Sequence, residues 1–144
     1  MHNMFESCLA KQAEVIRLFS ECKTEEAKYQ KIIDLGRTSS KLPLAFKTPE
    51  NVVKGCQSTM YLHTTYSNGI VTFEAQSDAL ISSGLAAILV IVYSGESPET
   101  ILKCPPSYLE ELGISASLTP SRANGLYSVH LRMKQEALKC LMKS

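Results

Sequence analysis

Thr59-Met60-Tyr61-Leu62-His63-Thr64-Thr65-Tyr66, then Ser67-Asn68-Gly69, then Ile70-Val71-Thr72-Phe73-Glu74-Ala75, is the stretch that decides the fold. In the first run Met60, Leu62 and Thr64 point one way, and Thr59, Tyr61 and His63 the other. That is the period-two alternation of a half-buried strand. The second run is rich in β-branched and aromatic residues. Asn-Gly between the two supplies the positive-φ positions that a tight hairpin turn requires. A β-hairpin over about 59–75 therefore sits in mid-chain. His63 belongs to the alternation and reads as a strand histidine before a metal ligand.

Helical patterns lie on both sides of the hairpin. Upstream, Phe5, Cys8, Leu9, Gln12, Ala13, Ile16 and Phe19 recur at helical spacing over residues 4–20. Thr24 can cap a second helix through Tyr29, Ile32 and Ile33, with Gly36 placed to end it as a left-handed residue. Downstream, Ser77 can cap a helix with Asp78 in its first turn. That helix runs to about Tyr93 and stops at Gly95. It is apolar nearly all round, too short for a bilayer, and interrupted by Ser82 and Ser83, so it reads as the central buried helix. Ser97-Pro98 starts a short helix, another covers about 107–112 and ends at Gly113, and Thr119-Pro120 starts a last helix to about Met142. Leu126, Val129, Met133, Ala137, Cys140 and Leu141 form the stripe of that last helix.

Between the second helix and the hairpin, residues 37–57 carry Pro43, Pro49 and Gly55 and no helical period. A loop of roughly 20 residues is long for a compact domain and tends to be functional or disordered. Leu42, Leu44 and Phe46 argue that this one packs down. Strands that cluster, rather than alternate with helices, predict an α+β class: a small antiparallel sheet, with room for a third strand, covered by helices. No repeat or linker divides the chain, so 1–144 reads as a single domain.

Composition excludes more than it names. The net charge is +1 and the charged fraction 20%, so no broad field points to nucleic acid or to a membrane surface. Trp is absent and aromatics are few, which argues against a base-stacking platform. The five cysteines, Cys8, Cys22, Cys56, Cys104 and Cys140, are odd in number and lack the close pairs of a structural zinc site. Met1-His2-Asn3-Met4-Phe5-Glu6 lacks the basic-then-apolar build of a signal peptide. The expected setting is cytoplasmic, with reduced thiols. Cys8 and Cys140 sit in apolar stripes and read as core. Cys22 falls in a short connection, and Cys104 ends a helix before Pro105-Pro106.

Cys56 differs from these four. It follows Gly55, ends the long loop and immediately precedes the hairpin. Gly55 lets the backbone turn sharply, Gln57 and Ser58 offer hydrogen-bonding groups, and Lys54 places a cation two residues away. A nearby cation and backbone donors would favour the reactive thiolate. No P-loop, dinucleotide fingerprint, His-Glu-x-x-His or Cys-x-x-Cys is present. A Cys–His nucleophile would have to draw on His63 or His130, since His2 is in the terminal segment. Arg122 is out of place in a helical first turn, where the dipole opposes a cation. It calls for a specific partner, with Asp78 one candidate.

Gly55-Cys56-Gln57-Ser58, Ser77-Asp78-Ala79 and Leu118-Thr119-Pro120-Ser121-Arg122, in this order, resemble the SufE family of cysteine desulfuration proteins. Ile32-Ile33-Asp34-Leu35-Gly36, Leu42-Pro43, Asn51, Gly84-Leu85 and Asn124-Gly125-Leu126 support the resemblance, which covers about 26–131. Two places depart from the family pattern. Ala75-Gln76 stand where an acidic residue often precedes the Ser-Asp, and Tyr61 stands where a tryptophan is common.

The resemblance implies a SufE/IscU-like fold and a sulfur acceptor. Its partner would be a SufS-like, or CsdA-like, cysteine desulfurase that carries its own pyridoxal phosphate. Cys56 would take the sulfur as a persulfide, stimulate the desulfurase, and feed a downstream iron–sulfur scaffold. No cofactor or metal of its own is expected, and no free-standing catalysis beyond a sulfurtransferase-type accessory role. A monomer is the default. Gly55, Gln57, Ser58, Asp78 and Arg122 would support Cys56, on a loop that packs down when free and swings out when bound. Two rival readings are an iron–sulfur scaffold, which needs several convergent ligands, and a Cys–His hydrolase or acyltransferase.

Overall fold

The computed structural model describes residues 5–39, 41–114 and 118–143. His2 and the expected helix start at residue 4 lie outside them. The first helix, α1, is Glu6–Phe19, and the second, α2, is Glu25–Thr38. Thr24 caps α2 as its sequence position predicts, its hydroxyl accepting from the Ala27 N–H. On α1 the buried residues are Cys8, Gln12, Val15 and Phe19. The expected stripe is thus rotated: Leu9 and Ala13 face outward and Val15 inward. The helix packs against two neighbours, α3 and α5 defined below, and its buried face follows the seam between them.

The hairpin is present. Strand β1 (Met60–Ser67) pairs antiparallel with β2 (Ile70–Ser77), Met60 opposite Ser77 and Ser67 opposite Ile70. Asn68 at φ 54 and Gly69 at φ 77 form the turn. Met60, Leu62, Val71 and Phe73 bury one face. A third strand does not form among the described residues. Single bridges flank the sheet instead, Val52 to Tyr61 and Glu96 to Val71. The chain turns sharply beside each bridge, after Val52 through Gly55 at φ 90 and before Glu96 through Gly95 at φ 87.

Strand β2 runs two residues further than the sequence pattern indicates, and this corrects the role of Ser77. It ends the strand and does not cap a helix through its hydroxyl. Its N–H donates to Ser83 Oγ at 2.8 Å, and that hydroxyl donates to the Ser77 carbonyl at 3.0 Å. Helix α3 starts later, at Leu80–Tyr93, with Ala79 as N-cap. Ten of its fourteen residues are buried, and it touches α1, α2, β2 and the last helix, so it is the central helix. Each fully buried large apolar side chain there contributes about 1.5–3 kcal/mol.

Gly36 also departs from its expected role. It lies inside α2, where a Cβ would come within 2.1 Å of the Leu80 carbonyl oxygen. Gly84 is its counterpart on α3, with a Cβ position 1.9 Å from the Ile32 carbonyl oxygen. The two glycines let the backbones of α2 and α3 touch. The remaining helices follow the capping signals. Helix α4 is Pro98–Lys103, capped by Ser97, and α5 is Tyr108–Leu112, closed by Gly113 at φ 61. Helix α6 is Pro120–Lys143. It buries Leu126, Val129, Met133, Ala137 and Cys140 as expected, and His130 in addition, while Leu141 is exposed. The class is α+β: among the described residues, a two-stranded sheet and six α-helices, with α3 at the centre.

Candidate functional site

The long loop delivers Cys56 to α6. Two single-turn 3-10 segments, Leu44–Phe46 and Pro49–Asn51, compact it. Leu42 is buried, and its N–H donates to Gln76 Oε1 at 2.7 Å. Phe46 stacks on His63 with ring centroids 3.7 Å apart. Leu44, in contrast, is 83% exposed, so only two of the three expected apolar anchors pack down. Asn51 Nδ2 donates to the Phe46 carbonyl at 2.7 Å, and the Val53 N–H to the Met60 carbonyl at 2.8 Å. One stripe of α6 receives the end of the loop. Gly125 faces Cys56, Ser128 faces Gly55, and Arg132 reaches the Glu50 and Val52 carbonyls.

Cys56 is half-buried in a cleft between its own turn, α3 and α6. Gln57, Ser82, Leu85, Ser121 and Arg122 are among the residues that line it. The Sγ lies 3.8 Å from the Gly125 carbonyl oxygen. Only a protonated thiol can donate there, because a thiolate would face an acceptor. Burial also pushes the Cys56 thiol above its ordinary value of 9.0. The expectation that Lys54 would favour the thiolate is therefore not met in this conformation. Lys54 is exposed, and nothing offsets the desolvation. The resting site holds a neutral, quiet thiol.

Of the residues singled out in the sequence, Cys56, Gln57 and Arg122 meet in the cleft. Gly55, exposed at φ 90, forms the turn before it, where a Cβ would lie 2.5 Å from Ser128 Oγ. Ser58 is half-buried beside it. Asp78 is not brought in: it is exposed, with Oδ1 accepting from Ser77 Oγ at 3.4 Å. Arg122 has a different partner from the one suggested. Its Nη1 donates to Ser82 Oγ at 2.5 Å, and no carboxylate pairs with it among the described residues. Thr119 caps α6 by accepting from the Arg122 N–H. Ser82 was visible as a hydroxyl in an apolar run, but its target was not. Ser128 and Arg132 had no sequence signal.

The other thiols have different surroundings. Cys8 and Cys104 are 0% and 2% exposed, and Gln12 Nε2 lies 3.9 and 3.6 Å from their sulfurs while donating to the Pro105 carbonyl at 3.0 Å. Cys140 is buried, and Cys22 sits half-buried in the turn after α1. No imidazole hydrogen-bonds Cys56 among the described residues. His63 lies 3.5 Å from Glu74 and stacks on Phe46, and buried His130 packs on Tyr93. Nor do three His, Cys, Asp or Glu side chains gather as a ligand set among the described residues. The Cys–His and scaffold readings thus gain no support from the geometry.

The described residues thus offer, in an α+β domain, a half-buried thiol that lines a cleft at the end of a pinned loop. Comparison with known proteins agrees on the family. Residues 13–137 match the SufE family, described as an Fe-S metabolism associated domain. A chloroplastic/mitochondrial SufE-like protein of Arabidopsis thaliana is 36% identical over 134 residues, 92% of this chain and 36% of that protein. The chain thus spans about a third of that relative. A SufE-like protein of Synechocystis is 30% identical over 126 residues, 88% of this chain and 79% of its own length. A hypothetical protein from Thermus thermophilus, solved in solution, superposes with a TM-score of 0.73 at 25% identity, covering 92% of this chain and 96% of that one. This chain belongs to the SufE family, and iron–sulfur metabolism is its area of function.

Proposed function

We propose that this protein accepts a sulfur atom on Cys56 from a SufS-like cysteine desulfurase, stimulates that enzyme, and passes the sulfur to an iron–sulfur scaffold. The observation that carries the reading is the placement of Cys56. It is the cysteine that lines a surface cleft at the end of a pinned loop, whereas Cys8, Cys104 and Cys140 are core. In the transfer, Cys56 loses its proton and its sulfur attacks the outer sulfur of the desulfurase persulfide. The partner's S–S bond breaks, a new S–S bond forms on Cys56, and the partner's thiolate leaves and takes up a proton. No net oxidation occurs. The pyridoxal phosphate chemistry that makes the first persulfide belongs to the partner.

The resting geometry fits a protected acceptor. The thiol, set against the Gly125 carbonyl and apolar Leu85, is shielded from stray thiols and oxidants. Attack requires the thiolate, so the loop must first leave this desolvated position. Arg122 is the cation lining the cleft, and its guanidinium suits an incoming anionic persulfide or the docked partner. Asp78, exposed at the end of β2, belongs to the docking surface in this reading. The protein acts as a monomeric accessory without free-standing catalysis. Its five free thiols suit a reducing, cytoplasmic setting. Among the described residues no helix is long and apolar enough to cross a membrane.

Desulfurase turnover on free cysteine, with and without this protein, tests the proposal. The wild-type chain raises turnover, and Cys56→Ser abolishes the rise while keeping cooperative unfolding. Full stimulation by Cys56→Ser contradicts the reading.

A further inference from the structure

We infer that Arg132 is the positioning residue that latches the Cys56 loop onto α6 in the free protein. The contacts on the loop end itself are weak: Ser128 Oγ lies 3.5 Å from the Gly55 carbonyl, and Cys56 Sγ 3.8 Å from that of Gly125. Contacts of that length do not hold a segment against its own entropy. Arg132 makes the strong ones. Its Nη1 donates to the Val52 carbonyl at 2.9 Å, and its Nη2 to the Glu50 carbonyl. A guanidinium presents its donors as a rigid fork, so it grips two carbonyls two residues apart with little further loss of freedom. These carbonyls lie at the end of the Pro49–Asn51 turn, where backbone acceptors lack partners within the turn.

The fork is also aimed from behind. Arg132 Nε lies 3.8 Å from Glu136 Oε2, and Lys139 Nζ holds the same carboxylate oxygen at 3.0 Å. The Arg132 side chain is only 18% exposed, so these contacts are partly shielded from water. Downstream of the grip, Gly55 at φ 90 is the pivot. Between the grip and the pivot the Val53 N–H to Met60 carbonyl bond still ties the chain to β1, so releasing Arg132 detaches the loop end from α6 and lets Cys56 leave the cleft by turning about Gly55. The latch therefore sets the fraction of molecules whose Cys56 is available, and its bearing on sulfur acceptance rests on the function proposed above.

The test uses the intact, reduced protein with Arg132→Met, which keeps an apolar stem, and Arg132→Lys. Iodoacetamide labelling rates at Cys56 are followed by peptide mass spectrometry, with Cys22 as internal control. The Cys56 rate rises roughly tenfold in the methionine variant, the loss of two charge-assisted bonds being only partly replaced by water. It rises less in the lysine variant, since an ammonium is a single point donor. Cys22 keeps its rate. With desulfurase and cysteine, the concentration of this protein that half-saturates stimulation falls by a similar factor, while maximal turnover is unchanged. Wild-type Cys56 rates in both variants overturn the latch, and so does an equal rise at Cys22, which would signal general loosening. Should the methionine variant not fold, the lysine variant decides by the same criterion. Faster labelling without any effect on a desulfurase upholds the latch and breaks the sulfur reading instead.

Discussion

Cys56 and the interior pair Cys8–Cys104 are thiols of one small molecule in opposite surroundings. Around Cys8 everything is permanent. The Cys104 thiol and Gln12 are in hydrogen-bonding contact with it, Tyr93 Oη donates to the Cys104 carbonyl at 2.9 Å, and His130 packs on the Tyr93 ring. Burial first, then Cys104 and Glu96, pushes the Cys8 thiol to about 12. Around Cys56 burial acts in the same direction, but the wall is a loop fastened by a few polar contacts. Low acidity alone therefore does not separate an inert cysteine from one poised to react. What separates them is how much structure must open before the sulfur meets water or a partner.

Native-state labelling breaks or sharpens this contrast most strongly. Cys8 and Cys104 can react only through near-global opening, whereas Cys56 needs only its loop to leave α6. With global opening costing about 5–15 kcal/mol, Cys56 is expected to label roughly a thousandfold faster or more. Site-resolved iodoacetamide kinetics at low denaturant give the ratio. Comparable rates at all three sulfurs would erase the distinction.

The interior cluster has its own pH signature. Burial, with Lys134 nearby, lowers His130 from 6.5 to about 4. The folded state therefore holds a neutral imidazole, while the unfolded chain takes up a proton below pH 6.5. The stabilising contribution is full above that value and is lost as pH falls from 6.5 towards 4, by about 3 kcal/mol. Urea midpoints across this range should fall in the wild type and flatten in His130→Phe. An unchanged slope in the variant would place the proton uptake elsewhere.

The smallest expected effect is at the wall of the cleft. A Cβ on Gly125 would lie 3.8 Å from Cys56 Sγ and 3.9 Å from its Cα, ordinary contact distances. Gly125→Ala should therefore keep Cys56 seated, with labelling within about twofold, and stabilise α6 by about 0.5–1 kcal/mol. Thermal unfolding and labelling check both. A large rise in labelling would mean that the thiol packs closer to α6 than the structure has it.

The sequence made the scaffold legible where one residue decides one local geometry. Asn68-Gly69 fixed the hairpin, Thr24, Ser97 and Gly113 fixed helix ends, and Cys56 was separable from the stripe cysteines by its position after Gly55. It failed where the decision is tertiary. Gly36 reads like a C-terminal glycine because composition cannot show that α3 approaches there. Leu44 is apolar yet exposed, and Ser77 is a good cap residue that the strand claims first. At the site, a cation in a helical first turn calls for a partner, and the one Arg122 has is Ser82, a hydroxyl 40 residues away, and not Asp78. Arg132 was invisible because an arginine beside the stripe of a helix usually does no more than face water.

The most direct measurement of the central claim is intact-protein and peptide mass spectrometry after incubation with a cysteine desulfurase and free cysteine. The account predicts an added mass of one sulfur atom on the peptide carrying Cys56, removable by a reductant and absent from Cys56→Ser. Sulfur found instead on Cys22 or Cys104, or its persistence in Cys56→Ser, would contradict it.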